Sequence, residues 1–98
     1  GNDNTANGAS ALKYNITGNN NTASGYYALN SIITGGNNTA FGYNAMASTD
    51  NATNQTIIAY HATCRAVNSV VLGNDDVTAV YIVEHSVVTL EDDVSPRQ

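Results

Sequence analysis

The feature that most limits what this chain can fold into is a repeat at a period of 17. Residues 4–12 read NTANGASAL, residues 21–29 read NTASGYYAL and residues 38–46 read NTAFGYNAM. Residues 55–63, QTIIAYHAT, form a degenerate fourth copy at the same spacing. The links repeat as well: Ile16, Thr17 and Gly18 recur as Ile33, Thr34 and Gly35. A last step of 14 leads from Gln55 to Ser69, where residues 69–73 read SVVLG. Five coils therefore start near residues 4, 21, 38, 55 and 69. A fixed period of this length is the signature of a solenoid, in which each unit buries its apolar side only against its neighbours.

The units are not helical. No apolar stripe at 3.6 spacing is present, and Gly8, Gly25 and Gly42 fall at the same point of successive copies, where each weakens a helix. An extended run of five or six residues spans roughly 15–20 Å, so two strands and two tight turns account for one coil. The period thus predicts an all-β, parallel β-solenoid of about five coils, a two-sided roll whose strands stack about 4.8 Å apart. Stacking would place Thr5, Thr22, Thr39 and Thr56 in one row, and Ala6, Ala23, Ala40, Ile57 and Val71 in the next. Gly8, Gly25, Gly42, Ala59 and Gly73 would form a third row, and Ala11, Ala28, Ala45 and Ala62 a fourth. Rows alternate in face because strand side chains have a period of two. Small residues fit a thin interior, with Leu12, Leu29 and Met46 adding volume from the second strand. The asparagines crowd the turns, where Asn accepts a left-handed backbone, and stacked Asn can form side-chain ladders between coils.

The roll is predicted over 1–73, with a distinct tail over 74–98. In the tail, residues 77–83 and 87–90 read as short strands, with turns at 74–76 and 84–86 and a solvated, acidic end. Apolar character rises at Ile57, Ile58, Val70, Val71, Leu72, Val77 and Val80. That exceeds the need of one thin interior, so Ile58, Leu72 and Val80 are the candidate contacts to a neighbouring chain in a trimer or a filament. Open solenoid ends and missing polar caps argue the same way.

Charge narrows the function classes. Only 11% of residues are charged and the net charge is −5. Between Asn4 and Cys64 only Lys13 and Asp50 are charged, and six of the eight acids lie between Asp75 and Asp93. With no basic patch, the electrostatic footprint of a nucleic-acid binder is missing. No apolar run reaches the ~20 residues of a membrane span, and the first residues do not read as a signal peptide. Cys64, the only cysteine, excludes an internal disulfide framework and reads as a buried thiol, or less plainly as a contact between chains. His61 takes the slot of Asn44 and reads as a turn residue; no histidine pair has zinc spacing. Asp75, Asp76, Asp92 and Asp93 read as solvated turn and tail residues, not as a calcium loop. No catalytic constellation, metal site or cofactor site is expected. Asn15, Asn20, Asn37, Asn51 and Asn54 each head an N-x-Thr sequon, which follows from a composition that needs Asn and Thr for the repeat.

The side chains left over are tyrosines. Tyr26, Tyr43 and Tyr60 share one repeat position and should stack in a row. Packing along the roll or between chains is the plainer reading. The sharper one is an exposed aromatic stripe that contacts sugar rings or a protein receptor, since Tyr offers an apolar face and a polar tip.

Residues 68–74, NSVVLGN, resemble the head repeats of YadA-like trimeric autotransporter adhesins, whose unit runs like NSVAIG. NTASGYYAL and NTAFGYNAM resemble longer repeats of bacterial surface proteins and phage tail-fibre proteins. The likeness covers residues 4 to about 81. It implies a left-handed parallel β-roll assembled as a parallel trimer, extracellular or on a cell or virion surface, with a host-surface receptor or glycan as partner. A purely structural, self-stacking filament is the alternative. An ice-binding solenoid ranks below both, because a single Thr row is narrow for a lattice match.

Overall fold

The computed structural model describes residues 1–81, which wind into a β-solenoid of about four turns with no helix among them. Each coil contributes one short strand: β1 (Thr5–Asn7), β2 (Thr22–Ser24), β3 (Thr39–Phe41), β4 (Gln55–Ile58) and β5 (Ser69–Leu72). All five pair in parallel, in chain order, in one sheet. The register follows the period: Thr5 faces Thr22, Thr22 faces Thr39 and Thr39 faces Thr56. The shorter last step keeps it, with Thr56 opposite Val70 and Ile57 opposite Val71.

The strands are short because residues that leave the β region flank them. Asn20, Asn37, Asn54 and Asn68 precede β2 to β5 with φ of 54 to 61°. Asn is the side chain that visits this region most readily. Glycine closes the strands, and Gly25 and Gly42 take φ of 133 and 135°. A Cβ on Gly25 would stand 2.6 Å from the Gly42 carbonyl oxygen, and one on Gly42 would stand 2.4 Å from that of Ala59. Ala59 occupies the same slot at φ 155°, next to the coil whose step has shortened to 14.

Inside, Ala23, Ala40 and Ile57 form the inward row of the sheet, and Ala28, Ala45 and Ala62 approach from the other side; all six are buried. Leu29 and Ile32 fill the remaining volume. Ala6, at the same repeat position, is exposed, because β1 has a partner strand on one side only.

A polar spine runs beside this core. Asn21, Asn38 and Gln55 are fully buried. Asn4 Oδ1 accepts the backbone N–H of Asn21, Asn21 Oδ1 that of Asn38, and Asn38 Oδ1 that of Gln55. Each Asn amide also donates across its own coil, Asn21 to the Gly35 carbonyl and Asn38 to that of Ala52. The ladder predicted for the asparagines is therefore internal and satisfies backbone that water does not reach. It ends at Gln55, whose longer side chain turns to Ser48 instead, with Nε2 2.7 Å from its hydroxyl.

Two expectations need correction. No coil forms a second strand. After the glycine the chain runs through successive tight turns, with Ala28 N–H on Gly25 O, Asn30 N–H on Tyr27 O and Ile32 N–H on Leu29 O. Tyr27 and Leu29 take φ of 64 and 49°, which breaks the extension a strand requires. This side is held by single hydrogen bonds between coils, such as Leu12 N–H to Ala28 O and Leu29 N–H to Ala45 O, and by the isolated bridges Gly36–Thr53 and Met46–Thr63. Leu29 is buried as expected, but from a turn, and Met46 is only half-buried. The strand expected over 77–83 is also not formed in its described part: Asp75 and Asp76 make a turn, and residues 77–81 are irregular. The expected strand at 87–90, the turn at 84–86 and the acidic end lie outside the described residues.

Candidate binding surface

The outward rows of the sheet change character along the axis. One reads Thr5, Thr22, Thr39, Thr56 and Val70; the other reads Asn7, Ser24, Phe41, Ile58 and Leu72. The first coils are polar on this face. The last coils expose Phe41, Ile58, Val70 and Leu72 to solvent as one apolar patch. Ile58 and Leu72, both expected at a chain contact, are thus strand neighbours on one face. Val80, the third, is exposed but lies beyond the sheet.

Beside this face, past the glycine turn, Tyr26, Tyr43 and Tyr60 form the expected row. Centroids are 5.4 Å apart for Tyr26 and Tyr43, with planes 22° from parallel, and 5.3 Å apart for Tyr43 and Tyr60, at 19°. Tyr27 extends the stack, 4.4 Å from Tyr26. Rings this close and this parallel overlap as offset stacks. Each inner ring therefore covers the faces of its neighbours, and what the ladder shows to solvent is a ridge of ring edges and hydroxyls. Tyr26, Tyr43 and Tyr60 are 46, 45 and 62% exposed. Packing along the roll and exposure, posed as alternatives by the sequence, hold together: the rings pack on one another and still face water. Tyr60 is the most exposed of the three, and the fifth coil carries Asn74, not a ring, in the next slot. Tyr27 pushes the Tyr26 hydroxyl above the usual phenol range, by hydrogen bonding first and charge second.

The frame fixes the spacing. The N–H of Asn44 donates to Tyr26 O and that of His61 to Tyr43 O, so each turn is tied to the tyrosine of the coil before. Tyr27, Asn44 and His61 occupy one slot, all with positive φ. His61 is the expected exposed turn residue; its Nδ1 lies 3.0 Å from the Asn44 amide, and its ring meets Tyr60 edge-on at 5.7 Å. At the far end of the ladder a cleft of about 260 Å³ is lined by His61, Thr63, Arg65, Leu72, Asn74 and Asp75 among others.

The remaining residues singled out by sequence have packing roles. Cys64 is buried, with Sγ 3.0 Å from the Ser69 hydroxyl, which removes it from contact with another chain. Asn74 accepts the N–H of Asp76 in a local turn. Among the described residues no three His, Cys, Asp or Glu side chains gather as a metal site, and no helix is long and apolar enough to cross a membrane. His85, Asp92 and Asp93 lie outside the described residues. Sequence reasoning missed Tyr27 as part of the ladder, because its repeat slot holds Asn44 and His61 and only the turn brings it against Tyr26. No family model matches the chain, and neither the curated proteins nor the solved structures yield a match.

Proposed function

We propose that this chain is a structural and adhesive segment of a surface fibre: a left-handed β-roll, assembled as a parallel homotrimer outside the cell or on a virion, that presents its tyrosine ridge to a receptor or glycan. The tyrosine ladder carries this reading. Tyrosines held half out of water on a frame with satisfied internal hydrogen bonds are the side chains that interfaces favour, being amphipathic and cheap in entropy to order. Because neighbouring rings cover most faces, the ridge engages a ligand by its hydroxyls, and Tyr60, with no ring in the slot that follows, offers one stacking position. The apolar patch of Ile58, Val70 and Leu72 supplies the contact between chains.

The test is binding to immobilised glycans and host-cell surfaces. Tyr43→Ala and Tyr60→Ala should abolish retention at an unchanged circular-dichroism spectrum. Retention equal to wild type in both variants would refute the ridge as the binding surface.

The second reading is the self-stacking filament, in which the exposed apolar row of Phe41, Ile58 and Leu72 meets further copies in an open series rather than a closed ring. A broad, concentration-dependent size distribution in place of a discrete trimer would select this reading. An ice-binding role gains nothing from the fold, since the row parallel to the threonines reads Asn7, Ser24, Phe41, Ile58 and Leu72.

A further inference from the structure

We propose that the tyrosine ladder is a site of oxidative cross-linking, at which a one-electron oxidant joins tyrosines of successive coils into an intramolecular dityrosine, Tyr26 to Tyr43 or Tyr43 to Tyr60. The ladder fulfils three requirements of that chemistry. The rings are neighbours, with centroids 5.4 and 5.3 Å apart. Their edges, where coupling takes place, are in solvent, so an oxidant reaches them and the rings can pivot. The backbone holds the pair in place, which raises the effective concentration of one ring at the other far above that of separate chains.

The step balances as follows. A peroxide, turned over by a haem peroxidase, removes one electron and one proton from each of two phenol O–H groups and is reduced to two waters. Unpaired spin in each phenoxyl resides partly on the carbons ortho to oxygen. Two such carbons, one from each ring, form a C–C bond, and their hydrogens move to the oxygens to restore both phenols. The product has lost two hydrogen atoms. The one thiol, Cys64, is buried and does not compete at the surface. The bond closes a covalent loop of one coil, which restricts the unfolded chain and raises the unfolding temperature.

The inference does not depend on whether the ridge also meets a receptor. It separates geometry from exposure, because Tyr81 is 85% exposed and Tyr14 54%, and neither has a ring partner among the described residues. Dilute wild-type chain is treated with peroxide and a haem peroxidase, then analysed by denaturing gel, intact mass and peptide mapping. The expected result is a monomeric band lighter by two hydrogens, dityrosine fluorescence, a Tyr26–Tyr43 or Tyr43–Tyr60 linkage, and a raised unfolding temperature. Tyr43→Phe keeps the stacked ring but lacks the phenol, so it should keep the circular-dichroism spectrum and lose both linkages. Tyr81→Phe should behave as wild type. Products dominated by Tyr81, linkages found only between chains, or coupling confined to Tyr26 and Tyr27 would each overturn the proposal.

Discussion

Asn21 and Asn38 are joined twice: Asn21 Oδ1 accepts both the backbone N–H of Asn38, at 3.1 Å, and its side-chain amide, at 3.0 Å. Asn21 Nδ2 meanwhile donates to the Gly35 carbonyl at 2.9 Å and to Asn4 Oδ1 at 3.3 Å. One buried amide thus satisfies groups in three successive coils. A chain with a thin alanine core stays ordered because its coil-to-coil polar contacts leave few buried groups unpaired.

Asn21→Ala should be among the most destabilising single changes. It orphans the Asn38 N–H and the Gly35 carbonyl, at about 1–3 kcal/mol for each buried group left unsatisfied. Asn21→Asp keeps the shape but removes the donors and sets a carboxylate against two oxygens. Burial among acceptors raises the folded-state pKa of that carboxyl above its unfolded value of about 3.9. The variant's stability is then fully present below the unfolded pKa and is lost as pH rises through the folded pKa. Urea denaturation across acid to neutral pH should show this loss, and a deficit independent of pH would mean that water reaches the ladder.

Ala6 and Ala40 share a repeat position but not an environment. Ala40 sits fully buried between Ala23 and Ile57, whereas Ala6 is exposed. Ala40→Leu should overpack the interior and cost roughly 1–3 kcal/mol. Ala6→Leu should change stability by less than about 0.5 kcal/mol, as exposed substitutions do. Thermal melts of the two variants side by side decide the point, and equal shifts would show that the inward row does not tighten away from β1.

Gly25 and Ala59 also share a slot. Gly25→Ala would place a methyl 2.6 Å from the Gly42 carbonyl oxygen at φ 133°, so backbone must move. A loss of more than about 1 kcal/mol is expected, as for a Gly→Ala change where the native backbone does not accept a side chain. Ala59→Gly should stay within about 1 kcal/mol of wild type, because the coil beside it is shorter and already holds a methyl. Matched losses in both variants would show that the 14-residue step opens no room.

Much of this architecture is legible in the repeat. Register, strand order and the identity of the inward alanine row follow from the period, because parallel stacking puts equal positions in contact. The second side of each coil was not legible, since an apolar run such as Ala28-Leu29 gives no sign that Leu29 takes a positive φ. The internal place of Asn21 and Asn38 was hidden for a related reason: an Asn beside a turn reads as surface unless its amide is seen to bridge coils. For the candidate site, the row of Tyr26, Tyr43 and Tyr60 was foreseen, while the covering of each face by the next ring depends on the coil spacing and appears only in three dimensions.

Leu72 separates assembly from folding. It faces solvent on the outer side of β5, next to Ile58 on β4, with Val70 exposed two residues before. Three large apolar side chains together on one sheet face are what the proposed contact between copies requires, whereas scattered ones need no explanation. Leu72 is 55% exposed, so Leu72→Asp removes little contact within the chain, and the coil should keep its circular-dichroism spectrum and most of its thermal stability. A charge at the centre of an interface between copies would instead be desolvated without a partner, which costs far more than the lost leucine contact. Sedimentation at micromolar concentration should find wild type as a discrete oligomer and Leu72→Asp as a smaller folded species. A wild-type chain that sediments as a stable monomer would show that Ile58, Val70 and Leu72 face something other than a second copy.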